Sequence, residues 1–276
     1  MASLAAEIDL SRERASYHAA FEPLGRARIL PLKEAQDLVA PVYERVAAET
    51  PGMFARSSAW WQARVLTDPE WRRQGRGELQ CVVIDSAHGP AAYALYRLTS
   101  VFERGVQSGS VSVVEALGDS PAATGAIWRY LLDVDWMARV KASLLPVDHP
   151  LLLLLAEPRR LNVSLRDGLW VRLVDVGAGL SSRGFAARDP VVVELTDAFC
   201  SWNAGRWRVS EAGAERTDAQ PELRCDVSSL ASAYLGGFSW AELARGLRVA
   251  ELRSGAIARA DALFQSDRAP WCPEIF

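Results

Sequence analysis

The run from Leu79 to Leu145 constrains this chain more than any other part of it. Leu79-Gln-Cys-Val-Val-Ile-Asp85 is apolar, β-branched and of strand length. Ala87-His-Gly-Pro90 reads as a turn, and Ala91-Ala-Tyr-Ala-Leu-Tyr-Arg-Leu-Thr99 reads as its hairpin partner. Gly109 to Leu117 (GSVSVVEAL) is a third strand. Pro121 to Leu132 then puts Ile127, Trp128, Leu131 and Leu132 on one helical face, and Arg139 to Leu145 is a final, weaker strand. Ahead of these lie a short strand, Arg26 to Leu30, and a helix from Pro31 to Glu49 with Leu32, Ala35, Leu38, Val39, Val42, Tyr43 and Val46 at helical spacing. Pro41 is expected to bend or divide that helix, and Pro51-Gly52 ends it. Ser57 or Ser58 caps a second helix through Trp60, Trp61 and Val65.

The flanks read differently. Ala5 to Leu10 alternate weakly and lead into a polar stretch, so residues 1–20 are expected to be a remnant of an upstream domain or a linker. Pro146-Val-Asp-His-Pro150 marks a break. Beyond it, Gly168 to Asp175 alternates Leu169, Val171 and Leu173 against Trp170, Arg172 and Val174, which predicts a strand with an unpaired edge. Further strands are expected at Pro190 to Leu195, Arg206 to Val209 and Glu222 to Val227. Helices are expected at Ala178 to Arg183, at Leu230 to Leu235 capped by Ser228 or Ser229, from a capping box at Ser239-Trp-Ala-Glu242, and from about Gly255 to Gln265. This predicts a small α+β layer over residues 166–276, after a first domain over 21–165.

Composition excludes several classes of function. Half of the residues are hydrophobic and the net charge is −3, which gives no electrostatic case for nucleic acid or an acidic membrane. The leucine run Leu151 to Leu155 is too short to span a bilayer. Cys81, Cys200, Cys225 and Cys272 are scattered, and His18, His88 and His149 lie far apart, so neither a disulfide framework nor a metal site is expected and a reducing cytoplasm is. The chain closes on Trp271-Cys-Pro-Glu-Ile-Phe276, an apolar end that reads as buried. A buried terminal carboxylate on Phe276 must be paired or have its pKa raised, and either condition suits a general base. The other reading is a core plug with the carboxylate at the rim.

The order β-α-α-β-β-β-α-β resembles that of the GNAT acetyltransferase fold. A GNAT holds the acetyl-CoA pyrophosphate on an R/Q-x-x-G-x-G/A loop at a helix N-terminus. The corresponding turn here, Leu117-Gly-Asp-Ser-Pro-Ala-Ala-Thr124, keeps Gly118 but lacks the arginine and the G-x-G pair. Asp119 brings a negative charge and Pro121 removes a donor, so this unit is not expected to bind acetyl-CoA.

Longer segments carry a more specific resemblance. Gly168 to Val176, Ser182-Arg-Gly-Phe185, Ala233-Tyr-Leu-Gly-Gly237 and the terminal Phe276 resemble the enhanced intracellular survival (Eis) family of N-acetyltransferases. So do Thr50-Pro-Gly-Met53 with Arg56 and Trp60, Tyr93 to Arg97, and Ile127 to Asp135. The resemblance implies a degenerate GNAT-like domain followed by a sterol carrier protein-like domain, acetyl transfer from acetyl-CoA to amines such as aminoglycosides, and hexamers. It also implies that the terminal carboxylate, here on Phe276, is the general base. Ile275 replaces the acidic residue that precedes the terminal Phe in some members, with Glu274 one step earlier. The family's N-terminal GNAT domain, with its acetyl-CoA loop and general-acid tyrosine, has no counterpart in these residues, and would have to be supplied in trans or upstream. Tyr17, Tyr93, Tyr96 and Tyr130 read as core or interface. Two other classes compete: a lipid-binding module, with Trp202, Trp207, Phe238 and Trp240 around a cavity, and a non-catalytic assembly scaffold.

Overall fold

Leu79–Ser86 and Gly89–Thr99 pair antiparallel as their sequences predict, with Val83 opposite Tyr93. A computed structural model describes residues 1–12, 15–18, 24–103 and 105–275. The chain divides into one unit of Ala5–Arg166 with Cys272–Phe276, and another of Met1–Leu4 with Asp167–Trp271.

The first unit is built on a seven-stranded sheet. In chain order its strands are β1 (Leu4–Ser11), β2 (Arg26–Leu30), β3 (Leu79–Ser86), β4 (Gly89–Thr99), β5 (Gly109–Gly118), β6 (Met137–Leu145) and β7 (Ser164–Asp167). Across the sheet they run β2-β3-β4-β5-β6-β1-β7. Strands β2, β3 and β4 each pair antiparallel with the next. Between β5 and β6 lies helix α2 (Pro121–Leu132), long enough to carry the chain back for a parallel pairing, Val111 opposite Val140. The N-terminal strand, expected as a leftover of an upstream fold, finds its partner inside the sheet: Leu10 lies opposite Val140 in an antiparallel pair with β6.

Helix α1 (Leu32–Glu49) buries Ala35, Val39, Val42, Tyr43 and Val46. Pro41 lies inside it without dividing it. Asp37, whose carbonyl loses its partner at Pro41, is exposed, as is Pro41 itself, so water meets the orphaned group. Helix α2 begins where the sequence placed it, with Ser120 as N-cap accepting from Ala123 N–H and Pro121 at its first position. It buries Ala123, Ala126, Ile127, Trp128, Leu131 and Leu132.

The second unit holds a five-stranded sheet. Its strands are β8 (Val191–Thr196), β9 (Gly205–Ser210), β10 (Gly213–Arg216), β11 (Leu223–Asp226) and β12 (Val249–Glu251), in the order β10-β9-β8-β11-β12. Helices α3 (Val176–Ser181), α4 (Val227–Tyr234), α5 (Trp240–Arg245) and α6 (Ala256–Phe264) complete it. Their buried faces meet the sheet around Trp207, Leu230, Trp240, Leu263 and Phe264. The capping box at Ser239 and Glu242 forms as expected. The cap of α4 is Asp226 rather than Ser228 or Ser229, and both serine hydroxyls donate to its carboxylate.

Gly168 to Asp175 is not a ladder strand. Its faces alternate as read, with Leu173 buried and Trp170, Arg172 and Val174 exposed. Its backbone groups are taken by other partners. Gly168 N–H donates to Ser3 C=O at 3.0 Å, and Leu169 C=O accepts from Ala2 N–H at 2.8 Å. Val174 C=O accepts from the Trp202 indole at 2.8 Å and the Asn203 amide at 3.1 Å, while Asn203 Oδ1 accepts from Val176 N–H at 3.0 Å. Alternation fixes which side chains face inward. It does not fix what pairs with the backbone.

Candidate functional site

Phe276, the expected general base, lies outside the described residues. The residues before it are placed. Cys272 is buried, and Ile275, which was expected to be buried with the end of the chain, is 70% exposed. The polar tether is Glu274, whose side chain is 9% exposed.

Glu274 meets Arg56, which lies between the Pro51-Gly52 turn and the Ser57 cap. Arg56 Nε donates to Glu274 Oε1 at 2.7 Å, and its guanidinium also forms a bidentate pair with Glu115 of β5 at 3.0 and 2.6 Å. The Trp60 indole N–H donates to the same Glu274 oxygen at 3.1 Å. Tyr93 of β4 donates its hydroxyl to Glu115 Oε1 at 2.5 Å. The guanidinium carbon stands 3.9 Å from the ring centre of Tyr43 on α1 and 4.7 Å from that of Trp61. One turn of π-helix, Trp61–Val65, follows Trp60 and is closed by Leu66 N–H to Trp61 C=O at 2.7 Å. Arg64, on that turn, donates to the Ile275 carbonyl at 3.3 Å.

The electrostatics are those of a buried network. Arg56 and Glu115 side chains are 2% and 6% exposed. Burial alone would lower the Arg56 pKa, but the charge and hydrogen bonds of Glu115 outweigh it and hold the guanidinium above its ordinary value. Burial, with Glu115 beside it, pushes the Tyr93 phenol well up. Arg56 is thus a permanent cation. Removing one partner of such a pair strands the other charge, at a cost of about 3–5 kcal/mol.

The turn at Leu117 to Thr124 is already engaged. Asp119 N–H donates to Ala91 C=O at 3.0 Å, Ala123 N–H to the Ser120 hydroxyl at 3.2 Å, and Thr124 N–H to Ser120 C=O at 2.9 Å. The Asp119 carboxylate sits in the turn, paired with Arg45 at 2.9 Å. A Cβ on Gly118 would meet Thr124 N at 2.3 Å, so this glycine serves close packing of strand on helix. These residues do not fit the pyrophosphate of acetyl-CoA.

The other candidates are placed plainly. Tyr93 and Tyr96 are buried, Tyr17 donates to Gly125 C=O at 2.7 Å, and the Tyr96 and Tyr130 hydroxyls meet at 2.9 Å. Burial pushes the Tyr17 and Tyr96 phenols up. Trp207 and Trp240 belong to the core of the second unit, with Phe238 packed against it, and Trp202 is exposed, so the four do not line one cavity. Among the described residues no group of acidic, histidine or cysteine side chains could hold a metal ion, and no helix is long and apolar enough to cross a membrane. In the sequence, Arg56 and Trp60 stand out only as part of the family resemblance. Glu115 carried no signal, because its partner lies 59 residues away.

Comparison with known proteins agrees with this architecture. Residues 52–173 match an acetyltransferase (GNAT) domain model, and residues 176–273 match a sterol carrier protein domain model. An uncharacterized N-acetyltransferase of Streptomyces coelicolor is 40% identical over 278 residues, covering 99% of this chain and 67% of the relative. The N-acetyltransferase Eis of Mycobacterium tuberculosis is 30% identical, covering 95% of this chain and 63% of its own length. The crystal structure of Eis1 from Mycobacterium abscessus superposes with a TM-score of 0.84 at 31% identity, over 100% of this chain and 68% of that one.

A GNAT-type domain followed by a sterol carrier domain defines a class of N-acetyltransferases. Within that class, the chain belongs to the Eis family. It spans about two thirds of the length of these relatives.

Proposed function

We propose that this chain supplies the acceptor side of an acetyl-CoA-dependent N-acetyltransferase acting on a small-molecule amine, aminoglycosides included. The degenerate GNAT-like domain takes 21–165 together with strand β1 and the last residues of the chain, and the sterol carrier-like domain takes the rest of 166–276. In this reading the terminal carboxylate of Phe276 is the general base. It takes the proton that an amine loses as its nitrogen attacks a thioester carbonyl, which requires hydrogen-bond reach to that amine. The acyl donor site and the general-acid tyrosine belong to a further GNAT domain, upstream or in trans, and the chain alone is inactive. Homo-oligomers, hexamers as in the family, and a cytoplasmic setting complete the proposal.

The observation that carries it is the buried seat of Glu274, which ties the residues just before the terminus into the GNAT-like unit. Appending one glycine would move the carboxylate by about 3.5 Å. In an assembled acetyltransferase this is expected to abolish amine acetylation, as is deletion of Phe276, while Phe276→Tyr keeps most of it. Undiminished acetylation in the glycine-extended protein removes the carboxylate from the reaction. The chain alone is expected to give no calorimetric signal with acetyl-CoA. Micromolar binding, about −8 kcal/mol, would overturn the assignment of the donor site elsewhere.

A further inference from the structure

We infer that Arg56 is a positioning residue for the end of the chain, holding it through Glu274. Its catalytic meaning rests on the proposed role of the Phe276 carboxylate. Its structural content does not.

The geometry separates what fixes Arg56 from what Arg56 fixes. Nη1 and Nη2 bond Glu115, itself held by Tyr93, Nη2 also stands 2.6 Å from Glu274 Oε1, and the guanidinium carbon lies close to the rings of Tyr43 and Trp61. The direction of Nε is thereby set before the tail is considered. Nε and the Trp60 indole converge on one oxygen, Oε1 of Glu274. A single acceptor gripped by two donors from a rigid base fixes a side chain more tightly than one exposed ion pair would. Arg64 adds a hydrogen bond to the next carbonyl, that of Ile275. The Ile275 side chain is exposed and anchors nothing in this unit. A charged clamp on Glu274 fixes the chain two residues before the terminus.

Cys272 reports on the clamp. It is a free thiol, buried two residues before Glu274, and Cys81 is buried on β3 of the same unit. Maleimide labelling of the native protein, mapped by peptide mass spectrometry, reads both sites at once. Glu274→Ala is expected to raise the Cys272 labelling rate by about tenfold, the loss of charge-assisted hydrogen bonds, with Cys81 unchanged. Glu274→Gln keeps an amide oxygen for Arg56 and Trp60 and is expected to lie between. Arg56→Lys keeps the charge without the planar fork and is expected to free Cys272 as Glu274→Ala does. A Cys272 rate in Glu274→Ala within about twofold of the parent overturns the inference.

In an assembled acetyltransferase, Glu274→Ala should lower kcat and leave the KM for acetyl-CoA unchanged, with partial rescue by Glu274→Gln. If the glycine-extended protein is inactive while Glu274→Ala is fully active, the positioning role falls and the base stands. If the glycine-extended protein is active, the base falls, and the labelling result alone decides the clamp.

Discussion

His149 shows how one buried residue couples the fold to pH. It is buried against Trp128, with ring centres 5.1 Å apart, and its Nδ1 accepts from Leu151 N–H at 3.1 Å. Burial pulls its pKa down from 6.5 to about 4, so the fold holds the neutral ring. Because the folded value lies below the unfolded one, the unfolded chain binds the proton more readily between them. Stability from this residue is full above pH 6.5 and is lost as pH falls toward 4, by about 3 kcal/mol over the window. Asp197 and Glu222, both held low against burial by hydrogen bonds and neighbouring arginines, act at the lower end of that window and below it. Urea denaturation of the parent and of His149→Gln at pH 7 and pH 5 checks this, and the variant is expected to lose most of the slope. At the residue scale the sequence alone is least informative. His149 was one of three scattered histidines, and Glu115 one acid among many, since burial of an ionisable group depends on what the fold brings to it.

At the scale of elements, the sequence specifies the structure where local chemistry decides the matter. Helix α2 has its cap, its N-terminal proline and its apolar face within its own residues, and its bounds agree with the sequence pattern. The hairpin of β3 and β4 needs only two runs and a turn. Short strands β10 and β12 are too brief for any periodicity to show in the sequence. Gly168 to Asp175 departs from a strand for a different reason, since the backbone of Ala2 and Ser3 and the side chains of Trp202 and Asn203 take the bonds that a strand would have offered. Asn203 is the key to that substitution. It is buried, and it bonds Val174, Val176 and the Asp197 carboxylate. Asn203→Ala leaves those groups without partners and is expected to destabilise its unit by about 2–4 kcal/mol. Asn203→Asp keeps the acceptor but sets two carboxylates together, and is expected to cost no less. Chemical denaturation followed by tryptophan fluorescence reads both.

For the molecule as a whole, the family and both domain types were legible in the sequence, because long segments carried the resemblance in order. The pairing of distant segments was not. β1 was read as belonging elsewhere, for nothing in its own residues names β6 as its partner. Removing residues 1–11 would bare the edge of β6, with Val140 and Ala142 along it, and separate β7 from its neighbour. The shortened protein is expected to associate, seen as an increase in mass by light scattering at tens of micromolar concentration, about the range in which exposed strands aggregate.

That same pairing sets a timetable. Asp9 of β1 and Arg139 of β6, joined at 2.7 Å, are 130 residues apart in the chain. At about 5–20 residues per second, the strand made first waits on the order of ten seconds for its partner to leave the ribosome. During that wait Ile8 and Leu10, on an apolar strand whose partner has yet to be synthesised, lack the β6 neighbour that covers them in this fold.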